Sequence, residues 1–90
     1  MLKIEYSAKF KKDYKTIKKR GYDIDLLEKV LEILCREEPL PQNYRDHALS
    51  GNYAGHRECH IANDWLLIYR IERNILILSL TRTGTHSDLF

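Results

Sequence analysis

Leu2, Ile4 and Tyr6 alternate with Lys3 and Glu5, the pattern of a short strand. Ser7 follows where a hydroxyl can accept from the free amides of a first helical turn, and Phe10, Tyr14 and Ile17 then recur at helical spacing. That spacing predicts a helix with a narrow apolar stripe and with Lys12, Lys15 and Lys19 on the opposite face. Gly21 suits the left-handed residue that ends a helix. Asp23 or Asp25 suits the cap of the next, Asp25 with Glu28 giving a capping-box pattern. Ile24, Leu27, Val30, Leu31 and Leu34 give that second helix a wider apolar face. Pro39 and Pro41 close the helical part, since neither donates a backbone hydrogen bond and each disfavours helix in the residue before it.

From Asp46 onward the apolar period becomes that of strands. His56 to Ala62, Trp65 to Ile71 and Ile75 to Thr81 read as three strands, joined through Asn63-Asp64 and Arg73-Asn74, with His47 to Leu49 a candidate fourth. Ile75-Leu76-Ile77-Leu78 is apolar at successive positions, which predicts a strand covered on both faces near the middle of the sheet. The helices cover one face; the pattern leaves the cover of the other open. The order strand, helix, helix and antiparallel sheet of three to four strands describes an α+β fold.

With 90 residues and 10.7 kDa the chain is long enough for one domain, spanning 1–90, and too short for two. A hydrophobic fraction of 43% with 31% charged residues excludes a disordered or collagen-like chain. No apolar run approaches the ~20 residues of a membrane span, and Met1-Leu2-Lys3-Ile4-Glu5 does not open a secretory signal. A cytoplasmic location follows as the expectation, with Cys35 and Cys59 as reduced thiols.

The net charge of +2 conceals an asymmetry. Residues 1–20 carry eight basic against two acidic side chains, residues 21–46 three against seven, and residues 47–90 four of each. A basic segment beside an acidic one suggests a patch that attracts a polyanion or an acidic protein. Groups suited to proton transfer lie instead in the balanced half: His47, His60, Asp64, Arg82 and His86 all fall at strand ends or turns. Alternation puts His56, Glu58 and His60 on one strand face and Arg57, Cys59 and Ile61 on the other, with Cys59 and Ile61 on the core side. Asp64, just past the turn, is placed to bias His60. In the tail, Arg82 offers paired donors for a phosphate, Gly84 permits close backbone approach, His86 suits acid or base work near neutral pH, and Phe90 can stack on a base or dock the tail.

As a set, Asp46-His47-x-Leu49-x-Gly51, Arg57-Glu58-Cys59-His60-Ile61, Asp64-Trp65-Leu66-Leu67-Ile68-Tyr69 and Arg82-Thr83-Gly84-Thr85-His86 to Phe90 resemble the RelE toxin superfamily, specifically its YafQ-type mRNA interferases. The resemblance implies a toxin of a type II toxin–antitoxin system: a ribosome-dependent endoribonuclease in which the ribose 2′-hydroxyl attacks the neighbouring phosphate, with no metal and no other cofactor. His47, His60, Asp64 and His86 are then the proton-handling set; the resemblance leaves open which histidine is acid and which is base, and the place of His86 on the tail favours it as the acid. Arg82 is the phosphate partner, and Trp65 and Phe90 are supporting aromatics on the substrate side. It also implies an acidic antitoxin, the ribosome and messenger RNA as partners, and operator DNA through the antitoxin complex. Lys12, Lys15 and Lys19 then dock ribosomal RNA or antitoxin.

Plainer readings stand beside these. His56 reads as a surface residue, Asp64 as a turn residue, Trp65 as partly core, and Phe90 as a pin for the C-terminus. Arg82 could pair with Asp88 or Glu58. His56-x-x-Cys59-His60 invites a zinc reading, but His56 and His60 share a face that Cys59 does not. A ParE-type inhibitor of DNA gyrase on the same scaffold would not need the histidine and arginine set, and a plain nucleic-acid or antitoxin-binding module would bind with steep salt dependence and cut nothing.

Overall fold

In the computed structural model, which describes residues 1–90, the N-terminal alternation forms β1 (Lys3–Tyr6) and the two amphipathic stretches form α1 (Ala8–Lys19) and α2 (Ile24–Cys35). The Ser7 hydroxyl caps α1, accepting from the Phe10 amide at 2.9 Å and donating to the Thr81 carbonyl at 2.7 Å, so the same residue ties the helix to the sheet. Gly21 takes the left-handed conformation (φ 81°) after α1. Asp23, rather than Asp25, caps α2, its carboxylate accepting from the Asp25 amide. The prolines lead into a 3-10 turn at Gln42–Tyr44.

β2 (His47–Ala48), β3 (Arg57–Ala62), β4 (Trp65–Glu72) and β5 (Ile77–Gly84) follow, and a last helical turn, α3 (His86–Leu89), closes the chain. The sheet has five strands in the order β1-β5-β4-β3-β2. It is mixed rather than antiparallel throughout, because β1 pairs with β5 in parallel, Tyr6 opposite Leu80. β5 is thus an interior strand, as its apolar run predicts. Its first two apolar residues are not part of it: Ile75 ends a 3-10 turn and Leu76 is left-handed (φ 55°), both exposed.

Helices α1 and α2 cover one face. Phe10, Ile17, Leu27, Val30 and Leu34 meet Cys59, Ile61, Trp65, Leu67, Tyr69, Leu78 and Leu80 from the strands. On the opposite face Leu66, Ile68 and Leu89 form a second, small cluster, flanked by Leu49 and Tyr53. The cover that the pattern leaves open is therefore α3 and the turn at Gly51–Tyr53. Burial pushes the Cys59 thiol up to about 12 and raises Cys35 as well, which keeps both as inert thiols. No helix is long and apolar enough to cross a membrane.

Candidate active site

Two register shifts decide which polar side chains reach the face opposite the helices. On β3, His60 pairs with Leu66 and Ala62 with Trp65, so Ile61 is an extra residue. On β5, Leu80 pairs with Tyr69 and Arg82 with Ile68, so Thr81 is extra. Strict alternation would leave Arg82 on the helix face with Leu78 and Leu80; the bulge at Thr81 turns it to the other side. Cross-strand neighbours share a face, so Glu58, Ile68 and Arg82 form one row across the sheet and His60, Leu66 and Gly84 the next. His47 on β2 stands opposite Glu58.

Above these rows lies a line of rings. His47 and His60 have centroids 6.5 Å apart, His60 and His86 6.1 Å, His86 and Phe90 6.0 Å, and Phe90 and Tyr53 5.8 Å. Glu58 is buried beneath the line, 3% exposed, with Oε1 at 3.4 Å from His47 Nε2 and 3.9 Å from His60 Nε2. Its other oxygen, Oε2, is buried without a hydrogen-bond partner. His47 Nδ1 lies 2.7 Å from the Arg45 carbonyl, which only accepts, so Nδ1 carries a hydrogen. Its Nε2 then faces the Glu58 carboxylate. Two imidazoles and a carboxylate thus lie together in a partly dry setting.

At the other end of the line, Asp64 Oδ1 accepts from the His86 backbone amide at 3.1 Å and lies 3.3 Å from His86 Nδ1. The amide and then the ring hold the Asp64 carboxyl below its ordinary range. Asp64 therefore serves His86, not His60; the carboxylate beside His60 is Glu58.

Arg82 is held by neither Asp88 nor Glu58. Asp13 of α1 takes its Nε and Nη2 at 2.6 and 3.0 Å and also accepts from the Thr83 amide at 3.1 Å. Nη1 takes no part in that pairing, and Tyr53 lies beside the group. Asp88 instead pairs with Arg20 through two hydrogen bonds of 2.6 and 3.1 Å. The tail is accordingly not a loose end. Thr85 and Asp88 make a reciprocal capping box, Leu89 is buried, and Arg20 clamps Asp88 from the end of α1. Gly84 makes room for that clamp and not for a phosphate: a Cβ there would meet Asp88 Oδ2 at 2.8 Å, and its φ of 150° is strained for other residues.

The structure therefore brings His47, His60, His86, Phe90, Asp64 and Arg82 to one face. Trp65 is placed elsewhere and cannot touch a substrate there. It is 3% exposed on the helix face, edge-on to Tyr22, with its indole N–H donating to the Thr83 hydroxyl at 2.9 Å. Lys12, Lys15 and Lys19 are exposed on α1 and form no ion pair; Lys15 also edges a groove of about 510 Å³ between α1 and α2 lined by Tyr6, Phe10 and Leu31. His56 packs edge-on against Tyr53, 6.0 Å between centroids, at the far end of the line of rings from His47 and His60. Glu58, Asp13 and Tyr53 are the residues that sequence reasoning missed. Asp13 carries a signal, being the one acidic residue in α1, and Glu58 another, as an acid on the same strand face as His60.

The family model described as the bacterial toxin of type II toxin–antitoxin systems, YafQ, matches residues 2–90. The chain belongs to the YafQ toxin family. Its sequence is 41% identical over 88 residues to the mRNA interferase toxin YafQ of Escherichia coli K12, covering 97% of this chain and 94% of that one. Among solved structures, the metal-bound toxin from Helicobacter pylori superposes with a TM-score of 0.94 at 48% identity over the full length of both chains. YafQ in the E. coli DinJ-YafQ complex gives 0.90 at 40%, covering 100% of this chain and 99% of that one. In this YafQ-family chain no three His, Cys, Asp or Glu side chains are arranged to hold a metal ion.

Proposed function

We propose that this YafQ-family toxin is an endoribonuclease that cuts messenger RNA on the ribosome by acid–base catalysis through its own side chains. The observation that carries the reading is the gap between His60 and His86, two rings 6.1 Å apart, each with a carboxylate beside it and with Arg82 on the same sheet face. In-line attack of a 2′-hydroxyl puts the attacking and leaving oxygens on opposite sides of phosphorus, so the base and the acid must stand on opposite sides of the phosphate. His60, backed by Glu58 and relayed to His47, takes the 2′ proton. His86, oriented by Asp64, protonates the leaving 5′ oxygen. The Nη1 edge of Arg82, which Asp13 does not occupy, meets the charge that grows on the phosphate. Phe90 flanks His86 and offers a face for a base.

The basic face of α1 docks ribosomal RNA or an antitoxin, a partner of the kind present in the E. coli DinJ-YafQ toxin-antitoxin complex. Primer extension on a translated messenger tests the reading. The wild type gives discrete cuts, and His86→Ala and His60→Ala each lower cutting by at least about 100-fold with the fold intact. Gyrase poisoning with untouched messenger would point instead to a ParE-like inhibitor.

A further inference from the structure

β2 is only two residues long, and its pairing with β3 ends at Glu58. Beyond that point the outer edge of β3 has no strand neighbour, and the 3-10 turn at Gln42–Tyr44 approaches it instead. Between them lies a recess of about 240 Å³ lined by Asn43, Arg45, His60, Ile61, Ala62 and Asn63. It is separate from the groove between the helices, and it opens directly beside one end of the proposed acid–base pair.

Its lining is chemically distinctive. Two carboxamides, a guanidinium and an imidazole converge there, and the side chains of Asn43, Arg45 and Asn63 make no hydrogen bond or ion pair within the protein. A site for a bare phosphate needs donors only. Carboxamides add acceptors, and paired donors and acceptors are what the edge of a heterocyclic base presents. The space corresponds to about eight waters, which one such base can displace. Unpaired RNA bases are recognised in this way, splayed from the strand, stacked on His or Arg planes and read along their edges.

The recess is also joined to the chemistry. Arg45 is left-handed (φ 50°), and its carbonyl is the group that orients His47 Nδ1. His60 belongs both to the recess and to the line of rings. The bulge at Ile61 shapes this edge of β3. We infer that the recess is a nucleobase subsite: it takes one unpaired base of the messenger adjacent to the cut, read by Asn43 and Asn63, and so aligns that nucleotide's ribose at His60. This rests on the nuclease reading above and adds to it a source of base preference within the toxin itself.

The test maps 5′ ends after cutting of a translated messenger carrying a randomised codon, with wild type, Asn43→Ala, Asn63→Ala and the double variant. The wild type should favour one base at a fixed position beside the cut. The double variant should lose that preference by about tenfold or more, cutting at the favoured base falling toward the level of the other three. Preference retained in the double variant, a loss equal for all four bases, or a wild type that cuts without base preference overturns the subsite. Absence of any wild-type cutting is a different failure, that of the nuclease reading. A second readout does not depend on cutting: uncleavable 2′-deoxy trinucleotides titrated into the protein should shift the Asn43 and Asn63 carboxamide NMR signals for one base more than for the others. Shifts confined to α1 would count against the subsite.

Discussion

Asp13 lies 69 residues from Arg82 in sequence and fixes it by two hydrogen bonds, while a third holds the Thr83 amide where β5 runs past the end of β1. Asp13→Ala removes all three from a setting where the two side chains are 14% and 19% exposed. Hydrogen bonds to a charged group contribute roughly 1.5–3 kcal/mol each, and three on one carboxylate do not add, so a loss of about 3 kcal/mol is expected. That is a large share of the roughly 5–13 kcal/mol typical of a chain this size. At about 4–8 °C per kcal/mol it lowers the melting point by roughly 12–24 °C. Asp13→Asn keeps an acceptor for the Thr83 amide and should cost about half as much. The activity consequence is separable from stability. Arg82 keeps its charge but loses its direction, and a displacement of about 1 Å at a catalytic group costs roughly 100-fold. Urea titration and primer extension at a temperature where both variants are folded read the two effects. Full cutting by folded Asp13→Asn, with a melting point within about 2 °C of wild type, would refute the assignment of Asp13 as the residue that positions Arg82.

Glu58→Gln should lower cutting at least about tenfold while leaving stability within about 1 kcal/mol of wild type or above it, since a buried carboxylate with one unpartnered oxygen is itself costly. Unchanged cutting across pH 5–9 would remove Glu58 from the mechanism. Arg20 and then the Thr85 amide hold Asp88 well below the usual carboxylate range. A depressed folded pKa contributes stability above the unfolded value of about 3.9, lost as pH falls through the folded value. The urea midpoint gap between wild type and Asp88→Asn should accordingly be constant above about pH 5 and close in stronger acid, and a gap independent of pH contradicts the clamp. Gly84→Ala should displace Asp88 and loosen α3, seen as faster amide exchange at Leu89 and weaker cutting with the sheet intact; a variant indistinguishable from wild type would show that the close approach is not needed.

The helices and the division of labour between the faces of β3 were legible because they follow from spacing alone: Phe10, Tyr14 and Ile17 make a stripe, and Cys59 and Ile61 point to the core. The parallel pairing of β1 with β5 was not, because it joins segments about 74 residues apart and leaves no local mark. Arg82 shows the limit of period-2 reasoning. Its face depends on one inserted residue, Thr81, and a bulge changes the parity of everything after it. Trp65 was ambiguous for the opposite reason, since a residue beside candidate site residues in sequence turns its ring to the other face of the sheet. The tail held a readable signal in Thr85-x-x-Asp88, a capping box before Leu89, which makes it an anchored turn; without that box His86 and Phe90 have no fixed address. The pairing of Asp64 with His86 then follows from where α3 docks, which no strand pattern specifies.

The central claim is that His60 and His86 form the two sides of one phosphate-cutting site. Its most direct measurement is single-turnover cutting of a ribosome-bound messenger against pH, for wild type, His60→Ala and His86→Ala, with a substrate whose 5′-oxygen leaving group is replaced by sulfur, which needs no protonation to leave. The wild type should give a bell-shaped profile, the two variants should lose opposite limbs of it, and the sulfur substrate should rescue His86→Ala but not His60→Ala. Rescue of both, or of neither, would contradict the claim.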